Sequence, residues 1–311
     1  MRLSRGTVVF PVCLLAFLLL PPCVAQSAPA RSGGAAAVDA RALGDYLERA
    51  VAAYRIPGLS FALVERGKPI LLRGYGEASR GRPVGPDTRF FLGSTSKAFT
   101  ALAVLRLVEE GKVELDAPYK RYVPEFSLPE PGAAEQITVR ELLNHTSGLS
   151  DRGLSSSSVG EASIEAELER LRGCRLASEP GRRFRYYNPN YRLLSLLVER
   201  VSGERYGDFL ERELFSPLGM DSSRAGADSA DGPGGPVADG HGELLGLPFG
   251  RRQIYRPGAL ASGYLVSSAA DLGAFLGAEL AVAGGEARGG LRPESLEASW
   301  RAPAGVSGYG E

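Results

Sequence analysis

Disulfides are excluded at the outset. The chain has three cysteines, but Cys13 and Cys23 lie in an apolar N-terminal stretch, which leaves Cys174 without an internal partner. Packing must therefore supply the stability, and with 44% hydrophobic and 23% charged residues over 311 positions there is apolar material enough for a large core. A surplus of either charge is also missing. The 36 basic residues balance 36 acidic ones and no basic run is interleaved with aromatics, so nucleic acid is excluded as a partner. Lysine is scarce, four against 32 arginines. A lysine in a suggestive place is then a choice of the one cation that burial can neutralise.

Long apolar runs occur only at the start. Arg2 and Arg5 precede an apolar segment from Thr7 to Leu20, and Val24 to Ala28 supplies small residues for cleavage. The run is interrupted by Pro11, ends at Pro21-Pro22 and is short for a spanning helix, an uncleaved anchor being the alternative. It reads as an export signal over residues 1–27, followed by an Ala- and Gly-rich linker over 28–37 and one domain over 38–311. Leu20-Pro-Pro-Cys23 lacks the small residues that precede a lipidated cysteine. The expected location is periplasmic or secreted, with no membrane contact beyond the export signal. Without Arg2 and Arg5 the mature chain has 34 basic and 36 acidic residues.

Asp39 is a good N-cap for a helix with apolar Leu43, Leu47, Ala50, Val51 and Tyr54, ending before Pro57-Gly58. Leu59–Glu65 and Ile70–Gly76 are β-rich runs flanking Arg66-Gly-Lys-Pro69, a hairpin signal; two strands alone are marginal and need further partners. A helix opens at Gly93–Lys97 and closes at Gly111, where positive φ costs glycine little. Thr138-Val-Arg-Glu141 is a capping box leading into a turn at Asn144–Gly148. Tyr191–Val201 is amphipathic and stopped by Gly203, and Ser268-Ala-Ala-Asp271 caps a helix over Leu272–Val282. Leu154–Ser163 and Ala225–Gly240 read as loops, and the stretch up to residue 250 carries no usable pattern.

Two places carry chemistry. Ser94 and Lys97, three residues apart at a helix start, share one helix face, where a neutral lysine can take the proton of a hydroxyl nucleophile. The free N–H groups and positive dipole end of the helix favour negative charge on an attacked carbonyl. The bland alternative is that Ser94 merely caps the helix. In Arg185-Tyr-Tyr-Asn-Pro-Asn-Tyr191, a phenol two residues before an amide can face one cavity when the segment is extended or turning, as Asn188-Pro189 suggests; the alternative is ordinary packing of a Tyr-rich loop.

Gly93-Ser94-Thr95-Ser96-Lys97-Ala-Phe-Thr100, Leu142-Leu-Asn-His-Thr-Ser-Gly-Leu149, Tyr186-Tyr187-Asn188, Pro217-Leu-Gly-Met220 and Ser262-Gly-Tyr-Leu-Val-Ser-Ser-Ala-Ala-Asp-Leu272 together resemble the serine β-lactamase-related family, in its class C β-lactamase, D,D-peptidase and esterase branch. The likeness runs in order over about residues 38 to 303. It implies an α+β, β-lactamase/transpeptidase-like fold, an antiparallel sheet flanked by helices with a mainly helical subdomain. It further implies Ser94 as the acylated nucleophile, Lys97 as its base, Tyr186 as the second proton-transfer group and Asn188 as a donor to the substrate. No cofactor and no metal are implied. The substrate would be a β-lactam, a D-amino-acid peptide or a small ester, with a penicillin-recognising sensor or a degenerate scaffold as the alternative. Tyr186, not Tyr187, fits the spacing. Because a neutral lysine no longer stabilises a phenolate, Lys97 and Tyr186 are read as one coupled pair. His145 is expected to be structural, satisfying backbone carbonyls at a helix end, and His241 to lie on the surface.

The resemblance also implies a third motif, a Lys or His followed closely by Gly, on a strand that supplies one of two oxyanion N–H groups. None follows Leu265, and His241-Gly242 stands before the Ser262-Gly263 segment. The expectation is a C-terminally incomplete domain with missing sheet strands, poorly stable and nearly inactive, since one lost oxyanion donor costs about 100- to 1000-fold in rate.

Overall fold

The computed structural model describes residues 38–154, 163–225, 236–245, 247–251, 253, 255–286 and 292–300. The expected export signal and linker, most of both expected loops, and the end of the chain lie outside the described residues. Contacts group Asp39–Glu311 into one unit.

Helix α1 (Ala40–Ala53) starts where Asp39 accepts from the N–H groups of Arg41 and Ala42. Strand β1 (Gly58–Glu65) pairs antiparallel with β2 (Lys68–Ser79) in a register that sets Gly58 against Gly76 and Leu63 against Leu71, and β3 (Arg82–Pro83) adds a short third strand. The hairpin stands where the sequence places it. Among the described residues no further strand joins this sheet. A short strand β4 (Phe90–Phe91) leads into a 3₁₀ turn at Gly93–Thr95 and then into helix α2 (Ser96–Glu109), with Gly111 at φ 69° just beyond its end.

The middle of the chain is helical: α3 (Ala133–Gln136), α4 (Val139–Leu143), α5 (Ile164–Leu171), α6 (Asn188–Ser202) and α7 (Tyr206–Leu210), the last continuing into a π turn at Glu211–Phe215. Both halves of the Thr138–Glu141 capping box are formed. Strands β5 (His241–Leu244) and β6 (Leu247–Gly250) form a hairpin in a stretch whose sequence showed no pattern, because its apolar residues are exposed rather than alternating toward a core. A π-type segment, Leu260–Tyr264, precedes β7 (Val266–Ser267), α8 (Ala269–Ala283) and α9 (Pro293–Trp300). The Ser268 cap is in place, its hydroxyl accepting from the Asp271 N–H. No described helix is long and apolar enough to cross a membrane.

Helix α2 is the axis of the core. Phe99, Leu102, Val104 and Leu107 are buried along it, each contributing roughly 1.5–3 kcal/mol by burial. Phe99 meets the rings of Phe215 and Phe275 at centroid distances of 5.6 and 4.9 Å, so the π turn and α8 converge on it. The other side of α2 lies against α6 and the Leu260–Tyr264 segment. Helix α8 covers the β1–β2 face. Two antiparallel pairs, Phe90 with Ser267 and Phe91 with Val266, draw β7 to β4 and so bring Ser262 beside the start of α2.

The sheet tolerates little at one point. A Cβ on Gly74 would sit 2.0 Å from the Val84 carbonyl oxygen, whereas one on Gly85 meets nothing within 4 Å. Gly74→Ala is therefore expected to destabilise the domain by roughly 2 kcal/mol or more, and Gly85→Ala by less than about 0.5 kcal/mol. Thermal unfolding of the two variants checks this; equal effects would contradict the packing of β2 against the Val84 backbone.

Candidate active site

The 3₁₀ turn lifts Ser94 out of the helix proper, so that Leu92 and Thr95 hold the capping positions and Ser94 Oγ meets Lys97 and Tyr186 instead. The capping alternative therefore fails. Ser94 is exposed while Lys97, in the first turn of α2, is buried. From beneath, the Lys97 Nζ reaches Ser94 Oγ at 3.3 Å and donates to the Ser262 carbonyl oxygen at 2.6 Å. From the opposite side the half-exposed Tyr186 donates its hydroxyl to Ser94 Oγ at 2.7 Å. Lys97 Nζ also lies 4.9 Å from the Tyr186 ring centroid and 5.8 Å from that of Tyr191. Lys97, one turn along, and Tyr186, distant in sequence, thus meet at the Ser94 oxygen, while Asn188, the first residue of α6, is exposed next to Tyr187. Tyr187 turns away, bonding Arg170 and Asp151 instead.

Burial holds the Lys97 ammonium below the usual lysine range, the hydrogen bond and charge of Tyr186 oppose this, and the Arg192 charge lowers it further. Neutral Lys97 leaves a lone pair for the Ser94 proton while its N–H still serves Ser262. One geometry therefore accommodates the proton on either member of the Lys97–Tyr186 pair.

The placement of Tyr186 has a local cause. His145 adopts φ 58°, a left-handed conformation uncommon outside glycine. The turn it heads is strapped to the 177–187 segment by three backbone bonds: Ala177 N–H to Gly148 O, Gly181 N–H to Thr146 O and Arg185 N–H to His145 O, each 2.8 Å. A fourth bond runs from the Tyr187 N–H to His145 Nδ1 at 3.2 Å, and the Asn190 amide nitrogen lies 3.2 Å from the same Nδ1. The imidazole ring packs on Tyr186 at 4.5 Å and on Tyr191 at 5.1 Å. His145 is structural, but the expected role with carbonyls is corrected: its ring nitrogen accepts from a backbone N–H, because the chain that follows Phe184 crosses over the turn. His241 is exposed at the edge of β5.

Sequence reasoning did not single out the Ser262 carbonyl, Arg192 or Glu167. The carbonyl gives no side-chain signal. Arg192 sits among the apolar residues of α6 and would pass for a surface position, yet it is buried, with Nη1 on Glu167 at 2.6 Å. Among the described residues, Lys97 is the only lysine or histidine within bonding distance of Ser94 Oγ, and no cluster of metal-binding side chains occurs.

A family model described as Beta-lactamase matches residues 43–311. Esterase EstB of Burkholderia gladioli is 31% identical over 297 residues, covering 83% of this chain and 73% of that protein. Protein flp of Staphylococcus aureus is 34% identical over 169 residues, covering 53% of this chain and 34% of its own length, so the chain spans about a third of that relative. Among solved structures, the octameric penicillin-binding protein homologue from Pyrococcus abyssi superposes with a TM-score of 0.70 at 28% identity, over 84% of this chain and 59% of the other.

Burial, and to a smaller extent the Lys97 charge, pushes His145 down to about 4. An unfolded histidine titrates near 6.5, so the unfolded chain takes up the proton first as pH falls. Stability is then full above about pH 6.5 and lost down to about 4, on the order of 3 kcal/mol in all. His145→Asn keeps an acceptor where Nδ1 stood and removes the titration. Its denaturant-derived stability is expected to fall by about 2 kcal/mol less than wild type between pH 7 and 5; parallel losses in the two proteins would refute the role of His145.

Proposed function

The chain belongs to the beta-lactamase family, and from that footing we propose that it is an exported serine hydrolase that opens small carboxylic esters through an acyl-enzyme on Ser94. The observation that carries the reading is the convergence on Ser94 Oγ of Tyr186 Oη at 2.7 Å and Lys97 Nζ at 3.3 Å. The Lys97–Tyr186 pair accepts the hydroxyl proton as Oγ attacks the carbonyl carbon. The resulting oxyanion forms beside the start of α2, where the helix dipole favours negative charge. Collapse of the tetrahedral centre breaks the bond to the leaving alkoxide, which takes the proton back from the pair. Water then repeats the sequence on the acyl-serine and releases the acid. Asn188, at the mouth, donates to the substrate beside the scissile bond.

The ester preference draws on the likeness to esterase EstB, which extends over most of both chains. A second reading, acylation by penicillins with slow release, is favoured by the likeness to the penicillin-binding protein homologue. In the proposed layout residues 1–27 direct export, 28–37 are a linker and 38–311 carry the hydrolase, so the protein acts in the periplasm or outside the cell.

Acylation is the decisive readout, because it reports the Ser94 nucleophile directly, before any deacylation step. A fluorophosphonate probe is expected to label wild type but not Ser94→Ala, and Tyr186→Phe is expected to slow labelling by about 100-fold or more. p-Nitrophenyl acetate turnover together with a fluorescent penicillin then separates the readings: turnover favours the esterase, a persistent penicillin adduct the binding protein. Equal labelling of wild type and Ser94→Ala would remove both.

A further inference from the structure

Behind Lys97 lies a cluster of charges that the acyl-transfer steps leave unused. Glu167, on α5, is fully buried, and its carboxylate is clamped between two guanidiniums: Arg192 Nη1 at 2.6 Å on one oxygen, Arg170 Nη2 at 2.6 Å and Nε at 3.0 Å on the other. Arg192, on α6, is itself buried and brings its Nε to 3.5 Å from Ser262 Oγ, at the outer limit of a hydrogen bond. The carbonyl of that same Ser262 is the acceptor for Lys97 Nζ at 2.6 Å. Two cations therefore approach opposite polar groups of one residue, and only one of them, Lys97, can shed its charge.

We propose that Arg192 and Glu167 are positioning residues acting on Lys97 through the Ser262 segment, Arg192 favouring the neutral amine and Glu167 moderating that push. The functional meaning rests on the acyl-enzyme reading above, since a neutral Lys97 is what takes the Ser94 proton. A lowering of Lys97 by the Arg192 charge, smaller than the effects of burial and of Tyr186, agrees with the geometry. The other titratable groups around Lys97 are Tyr186 before α6, Tyr191 on α6 and His145 after α4. Tyr206 of α7 is bonded to Thr100 one turn further along α2, and Arg106, Glu109 and Glu213 pair among themselves toward its far end. None of these is substituted in the variants below.

The scarcity of lysine makes the test direct. With only Lys68, Lys97, Lys112 and Lys120 in the chain, ¹³C-lysine labelling gives four ε-carbon signals, and Lys97→Arg assigns the one of interest. The Lys97 midpoint in an NMR pH titration is expected below the other three in wild type. Arg192→Gln is expected to raise it and Glu167→Gln to lower it, each by about half a unit or more. Losing one partner of a buried pair destabilises the fold, so should Arg192→Gln fail to fold, the double variant Arg192→Gln/Glu167→Gln against Glu167→Gln alone isolates the same charge. Opposite shifts support the proposal; no shift, or shifts in one direction for both single variants, overturns it. The titration needs no turnover, so an unlabelled Ser94 would end the hydrolase reading while leaving this result intact.

Discussion

A lysine taken out of water must find an acceptor for whatever N–H groups it keeps, and Lys97 finds the Ser262 carbonyl at 2.6 Å. Much else in the domain serves that one contact. The acceptor lies 165 residues further along the chain, so the Leu260–Tyr264 segment has to be fixed against α2 with little freedom. Three bonds and a ladder do this: Leu92 N–H to Leu265 O, Leu265 N–H to Ser96 Oγ, Thr100 Oγ1 to Ala261 O, and the β4–β7 pairing beside them. Ser96 and Thr100 are fully buried hydroxyls on a helix that is otherwise apolar on that side. Their use as tethers explains why the core helix tolerates them, since each polar group is satisfied by the segment it holds.

The opposite wall is fixed by different means. Tyr186 is half-exposed and cannot be held by burial, so its backbone is held instead, through the strap of the 177–187 segment on the His145 turn. The neutral imidazole is what the arrangement requires, because a protonated Nδ1 would meet the Tyr187 N–H donor head on. Burial of that ring and the nearby Lys97 charge act in the same direction, both favouring the neutral form. A rigid lysine below and a strapped tyrosine above leave the exposed Ser94 oxygen as the meeting point. On the proposed acyl-transfer reading, such preorganisation lets a weak nucleophile act without reorganising its surroundings.

The elements governed by local rules were legible in the sequence. Asp39, Thr138–Glu141 and Ser268 cap helices as their side chains dictate, and Arg66-Gly67, the first half of the expected Arg66–Pro69 turn, closes the hairpin, with Lys68 and Pro69 already paired in β2. Ser94, Lys97 and Tyr186 could be named because chemistry at a helix start and a Tyr-x-Asn segment leaves a side-chain trace. The Ser262 carbonyl could not, since every residue carries one. Nor could the 3₁₀ turn that lifts Ser94 clear of α2: helix propensity reads straight through Gly93–Lys97, and the break is imposed by the pairing of β4 with β7. Glu167 was hidden for the opposite reason. On α5 it follows Glu165 and precedes Glu169 and Arg170, the pattern of a solvated face, and tertiary packing alone turns it inward.

That inward turn bears on why the chain is so rich in arginine and so poor in lysine. A guanidinium keeps its charge at any accessible pH, so a buried one has to be matched by a carboxylate held nearby, as Arg192 is matched by Glu167. An ammonium has another option, to lose the proton, and a site that needs a base must keep that option for one residue only. Lysine at 192 would give two neighbouring groups able to exchange a proton, with no fixed charge to bias which one is neutral. Arginine there removes the ambiguity, and Arg170 on the far side of Glu167 keeps the carboxylate from cancelling the bias altogether. The division between a cation that cannot titrate, on α6, and one that can, on α2, is thus written into residue choice.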